Sequence, residues 1–288
     1  MARVTIRGAD LYFEEHGTGA EVIVFAHGCL LNCRQFDAQL AAFRGRYRCI
    51  AFDFRGQGRS QVTRRGYDMD SLTEDAAGLI RALGGAPCHF VGSSMGGFVG
   101  MRLAVRHAEL LRSLVLVGSS ASPEPSPWRF RLMSWAARLL GVRAVTPGVM
   151  PVQFGPHFLR DPRRDDERRA WFERIATASR AGAVRSAGGV ISRPDFTGQL
   201  GRVRVPTLIV VGEDDRATPP EEARRMHAGI AASDLVIIPQ AGHAVVVEQP
   251  AAVNQAVQRF LERNCDRNRG GVSEAEPHAT ADRGLISE

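Results

Sequence analysis

The apolar residues of this 288-residue chain change period repeatedly, and each change marks an element. Arg3 to Arg7 and Leu11 to Glu15 alternate on either side of Gly8-Ala9-Asp10, a hairpin-turn composition, and predict an antiparallel edge. From Glu21 to Ala26 the pattern becomes continuously apolar, as in a strand buried on both faces. Arg34 to Phe43 then places Phe36, Leu40 and Phe43 at helical spacing, and Tyr47 to Phe52 is a further strand. Ser71 to Leu83 reads as an amphipathic helix opened by a Ser71-x-x-Glu74 capping box. Cys88 to Val91 is a short strand, Phe98 to His107 a helix and Leu111 to Val117 a buried strand. The rhythm resumes with a strand at Val205 to Val211, a helix at Pro219 to Ile230, a strand at Leu235 to Ile238 and a helix at Pro250 to Arg263. Such alternation predicts an α/β fold with a mostly parallel, doubly wound sheet, whose ligand site lies at the carboxyl ends of the strands.

Between Ala121 and Phe196 the rhythm breaks. Three prolines open a segment with helical stretches at Trp128 to Leu140 and Asp166 to Arg180 and no buried-strand pattern. The predicted organisation is therefore a core formed by residues 1–120 and 197–264, a helical insertion over 121–196, and a polar, aperiodic tail over 265–288 expected to be disordered. The insertion holds all three tryptophans, and its thirteen arginines against seven acidic residues account for the whole net charge of +6.

The chain has no lysine, which excludes lysine-dependent chemistry and makes its basic excess entirely arginine. No basic stripe interleaved with aromatics accompanies that excess, so no nucleic-acid partner is expected. No apolar run is long enough to span a bilayer, and Met1 to Ile6 leads directly into a strand pattern; the expectation is a cytoplasmic protein without a membrane partner. The five cysteines are odd in number and lack C-x-x-C spacing, which points to neither a disulfide framework nor a metal site. No cofactor is implied.

The chemistry centres on Val91-Gly92-Ser93-Ser94-Met95-Gly96-Gly97, where a strand stops and a helix begins. A serine in the middle of G-x-S-x-G sits on a strained strand-to-helix turn, with its hydroxyl exposed above the sheet edge. A hydroxyl is a weak nucleophile that needs a base, and the base needs an orienting acid. Downstream, Glu213, Asp214 and Asp215 follow one strand and His243 follows the next, giving the order nucleophile, acid, base. His27 and Asp53 also end strands and are secondary candidates for base and acid.

The sequence resembles the α/β-hydrolase fold superfamily from about Val4 to Arg263. The match rests on His-Gly at Gly28, G-x-S-M-G-G at Ser94, G-x-x-D-x-x-T-P at Asp215 and G-H-x-x-x-x-E-x-P at His243. The resemblance implies Ser94, Asp215 and His243 as catalytic residues, selecting Asp215 over Asp214 and Glu213. It also implies an oxyanion hole formed by the backbone N–H groups of Cys29 and Met95. By the same resemblance His27 and Asp53 are structural loop residues and the insertion is a lid, while the Glu248-Gln249-Pro250 run reads as the cap and start of the last helix. Trp128 and Trp135 are then expected to line the substrate pocket, and the arginines to favour an anionic or aromatic small molecule. The branch indicated contains 3-oxoadipate enol-lactonases and esterases, which implies a serine hydrolase of carboxylic esters or lactones. A carbon–carbon bond hydrolase, a perhydrolase and a weakly catalytic ligand receptor are the alternatives on the same residues.

Overall fold

A computed structural model describes residues 2–270. Among them are β1 (Ala2–Ile6), β2 (Ala9–His16), β3 (Val22–Ala26), β4 (Arg48–Phe52), β5 (Cys88–Ser93), β6 (Leu111–Val117), β7 (Thr207–Gly212) and β8 (Ser233–Ile238). They form one sheet in the order β1-β2-β4-β3-β5-β6-β7-β8. β1 and β2 make the expected antiparallel edge, and every pairing from β4 through β8 is parallel. The chain leaves β3 for β4 on one side and returns as β5 on the other. This reversal brings the carboxyl ends of β3 and β5 together, with Ala26 opposite Gly92, at the place where such sheets bind ligands.

Alternate residues of the central strands feed two cores. Val24, Phe52, Phe90, Leu116 and Ile209 belong to one, and Phe25, Ala51, Val91, Val117 and Val210 to the other. That is the period of two expected of a pleated strand covered on both faces. The helices that accompany the sheet are α1 (Asp37–Phe43), α2 (Met69–Ala82) and α3 (Met95–Arg106). An inserted group between β6 and β7 comprises α4 (Pro127–Leu140), α5 (Val142–Gln153), α6 (Pro156–Arg160), α7 (Asp165–Ala176) and α8 (Arg180–Ile191). The chain then continues with α9 (Pro220–Gly229), α10 (Val245–Glu248) and α11 (Pro250–Gly270).

Several boundaries depart from the sequence reading for local reasons. α2 begins at Met69, and its cap is Asp68, whose carboxylate accepts from the Ser71 N–H at 2.8 Å. The Ser71 hydroxyl donates to the same carboxylate, while Glu74 is used to bind His107, so the expected capping box does not form. α5 contains Pro147 and Pro151, which argue against a helix in sequence terms; it persists because Val142, Val149 and Met150 are buried against its neighbours. The helix expected to run to Arg180 stops at Ala176, and Ser179 caps a new one by accepting from the Gly182 N–H. α11 runs on to Gly270, into the segment expected to lack regular structure; residues 271–288 lie outside the described residues.

The junction of β3 with α3 is tight enough to be tested. A Cβ at Gly96 would overlap the carbonyl oxygen of Ala26. Gly96→Ala is expected to cost about 1–3 kcal/mol through forced separation of helix and strand. Urea denaturation reads this directly, and an unchanged midpoint would show that the junction is loose.

Candidate active site

β5 ends at Ser93 and α3 starts at Met95, leaving Ser94 alone at the corner with φ 50° and ψ −110°. A non-glycine residue in this region costs on the order of 1–3 kcal/mol and needs surroundings that over-determine it. Those surroundings are hydrogen bonds. The Ser94 N–H donates to the Val117 carbonyl at 2.8 Å, and its own carbonyl accepts from Gly97 N–H, Phe98 N–H and the Ser119 hydroxyl at 2.9, 3.0 and 3.1 Å. The turn also folds so closely that a Cβ at Gly92 would overlap the Gly96 carbonyl. The partly exposed side chain of Ser94 borders a cavity.

His243 borders the same cavity, on the loop that follows β8. Its Nδ1 lies 2.9 Å from Asp215 Oδ2 and 3.1 Å from Oδ1, on the loop after β7. The ion-pairing carboxylate fixes the proton on Nδ1 and leaves Nε2 as the acceptor. Asp215 is itself held by the N–H groups of Ala217 and Thr218 and by the Thr218 hydroxyl, each at 2.9 Å. Asp214 makes no such contact with His243; its backbone N–H donates to Ala241. Burial lowers the affinity of His243 for a proton, yet the charge and hydrogen bond of Asp215, with the charge of Glu248, raise its pKa above 6.5.

The loop after β3 forms the third wall. Among the described residues nothing accepts from the backbone N–H of Cys29 or of Met95, and Cys29 borders the cavity. Two glutamines that the sequence reading did not single out set this loop. Gln35 accepts from the Gly28 N–H at 2.9 Å and donates to the Ser93 hydroxyl at 2.9 Å, tying the loop to the strand of Ser94. Gln57 accepts from the Leu30 N–H at 2.7 Å, and its amide reaches the Met95 sulfur at 3.8 Å. The Cys29 thiol is pushed up to about 12 by burial, which removes it as a competing nucleophile.

The secondary candidates are occupied elsewhere. His27 Nε2 accepts from the Phe54 N–H at 3.0 Å and its Nδ1 donates to the Gly28 carbonyl at 2.7 Å, so both ring nitrogens are committed to the loop. Asp53 accepts from the Cys33 and Arg59 N–H groups, each at 2.7 Å. Glu248 does not cap α11 as expected. Its two oxygens accept from Gly242 N–H at 3.0 Å, next to His243, and from Gly155 N–H at 2.9 Å, in the insertion. Burial pushes this carboxyl up to about 7.

A cavity of about 100 Å³ opens between the core loops and the inserted helices. Trp128 and Trp135 do not line it: they are 63% and 61% exposed. The residues of α4 that face it are Phe130, Met133, Ser134 and Ala137, because the tryptophans fall on the opposite side of that helix. Trp171 packs in the core beside Phe154. Of the thirteen arginines in the insertion only Arg193 borders the cavity, and it is paired with Glu124 at 3.4 Å, both side chains nearly buried. The wall is otherwise mostly aliphatic and aromatic, with Ser134, Gln153 and Thr218 as further polar residues, and it presents no unpaired arginine to an anionic substrate. A hydroxyl, an imidazole oriented by a carboxylate and the unpaired Cys29 N–H around one cavity, with the unpaired Met95 N–H next to Ser94 in the chain, have the parts that acyl transfer requires.

Comparison with known proteins gives the family. The profile of the Alpha/beta hydrolase family matches residues 23–256. The chain is 30% identical over 257 residues to the AB hydrolase superfamily protein YisY of Bacillus subtilis, covering 87% of this chain and 94% of that one. It is 28% identical to 3-oxoadipate enol-lactonase 2 of Acinetobacter baylyi, over 84% of this chain and 88% of the relative. Among solved structures it is similar to a thermophilic esterase from Thermogutta terrifontis, with a TM-score of 0.85, 31% identity and coverage of 92% and 99%. This chain belongs to the α/β-hydrolase family.

Proposed function

We propose that this protein is a serine hydrolase that cleaves a carboxylic ester or lactone through an acyl-enzyme on Ser94, without a cofactor, and that the acyl part of its substrate is uncharged and apolar. The observation that carries the reading is that Ser94, on its strained corner, and the Asp215-oriented His243 border one cavity. His243 Nε2 takes the Ser94 proton as Oγ attacks the carbonyl carbon, and Asp215 steadies the imidazolium that forms. The developing oxyanion is received by the N–H groups of Cys29 and Met95. His243 returns the proton to the leaving oxygen, then deprotonates a water that attacks the acyl-enzyme and releases the acid. The helices α4–α8 act as the cover of the site.

The apolar preference follows from the cavity wall. A substrate carboxylate brought there would meet one arginine already neutralised by Glu124, and burying an unpaired charge is strongly unfavourable. This supports neutral esters and lactones over lactones that carry a carboxylate, even though a 3-oxoadipate enol-lactonase is among its relatives.

A p-nitrophenyl ester series from acetate to decanoate is expected to show a rate maximum at one chain length, with Ser94→Ala reduced on the order of a million-fold, to background. Esters of the same length that end in a carboxylate are expected to be slower by about a hundredfold or more, and Glu124→Gln, which frees Arg193, to narrow that gap. Equal rates for neutral and anionic esters would refute the apolar reading while leaving the hydrolase reading intact.

The pH dependence has a definite sign. His243 must be neutral to accept the Ser94 proton, so kcat/KM should rise with pH through a pKa above 6.5. Glu248→Gln removes the negative charge that this carboxyl carries above about pH 7 and that favours the imidazolium, and the acid limb should move to lower pH. A limb that stays in place in this variant would show that Glu248 has no electrostatic hold on His243.

A further inference from the structure

α4 has two apolar faces, and only one of them is used. Phe130, Met133 and Ala137 turn toward the cavity. Trp128, Leu132, Trp135 and Leu139 recur at i, i+4, i+7 and i+11 and are 63%, 59%, 61% and 55% exposed. At 3.6 residues per turn these four lie within about 60° of one another, a continuous stripe on the side of the helix away from the cavity. Together with Leu140, at 71%, and Val62 they are the large apolar side chains exposed among the described residues. A stripe of this size concentrated on one helix marks an interaction surface rather than scattered surface apolarity.

The charges around it identify the occupant. On the helical wheel Arg131 and Arg138 flank the stripe on one side and Arg129 on the other, and α4 contains no acidic residue. All three are exposed, and no described carboxylate lies within ion-pair distance of them. Of the ten other arginines of the insertion, six (Arg143, Arg163, Arg164, Arg168, Arg169 and Arg193) are matched with an acid, whereas all three on α4 lack one. A second copy of this chain is a poor occupant, since pairing the stripe with itself would bring two sets of unmatched arginines together beside two insertions of net charge +6. An anionic lipid surface satisfies both features at once: the tryptophans and leucines enter the boundary between headgroups and acyl chains, and the arginines meet the phosphates.

We propose that the outer face of α4 docks the protein peripherally on anionic phospholipid membranes. No described helix is long and apolar enough to cross a membrane, so the association is with the surface. The same helix forms a wall of the cavity, and docking therefore brings the cavity close to the lipid. This inference stands apart from the assignment of the active site, because its test reads binding and not turnover.

The experiment is co-sedimentation of the full chain with vesicles of phosphatidylglycerol and phosphatidylcholine in equal parts, beside vesicles of phosphatidylcholine alone. Binding to the anionic vesicles is expected, at least about tenfold tighter than to the neutral ones and weakened by high salt. The double variant Trp128→Ser/Trp135→Ser and the triple variant Arg129→Gln/Arg131→Gln/Arg138→Gln should each lose about tenfold or more, with ester hydrolysis in solution and circular dichroism unchanged, since every altered side chain is exposed. No co-sedimentation would overturn the proposal, as would binding that both variants retain. A concentration-dependent dimer that Trp128→Ser/Trp135→Ser dissolves, without vesicle binding, would assign the face to a second copy instead.

Discussion

Ser94 adopts φ 50° and ψ −110°, and the rest of the site depends on its being held there. The strain is affordable only because three hydrogen bonds to its carbonyl, one from its own N–H, and the side-chain-free backbone at Gly92 and Gly96 leave the chain no relaxed alternative. The same corner that lifts the hydroxyl out of the sheet starts a helix, so the Met95 N–H is left without an intrahelical partner beside it. One backbone constraint thus supplies both an exposed hydroxyl and one of the donors that an oxyanion would need.

Around that corner the positions of the other groups are set by buried polar side chains. Gln35 and Gln57 fasten the loop of Cys29 to the strand and helix that flank Ser94, and Asp53 gathers two backbone N–H groups from neighbouring loops. Thr218 fixes the carboxylate that orients His243, and Glu248 joins the His243 loop to the insertion through Gly242 and Gly155. Each would be costly to bury unpaired, and each is paired in a way that constrains a loop. Rigidity at the site therefore comes from polar contacts, while the cavity it faces is apolar.

Much of this was legible in the sequence. The alternation of buried strands with helices gave the sheet, and the glycines around Ser94 with the acid and histidine after later strands gave residues that do converge, because local steric rules govern the turn and strand ends fix where loops emerge. The insertion was less legible. Pro147 and Pro151 hid α5, whose stability lies in tertiary burial, and the aromatic composition of α4 did not reveal which face each tryptophan takes. Its helical spacing held that information: Trp128 and Trp135 share one face while Phe130 and Ala137 share the other, but nothing local states which face meets the core. Gln35, Gln57 and Glu248 were missed as site residues for a related reason. Their partners lie up to 93 residues away, and only the folded chain brings them together.

The central claim is that the corner serine is the activated nucleophile. Treatment with a fluorophosphonate, followed by peptide mass analysis, tests it most directly. A single phosphonylated residue, Ser94, is expected, with labelling abolished in His243→Ala while that variant remains folded. Modification of a different residue, or a folded wild-type protein that takes up no label, would contradict it.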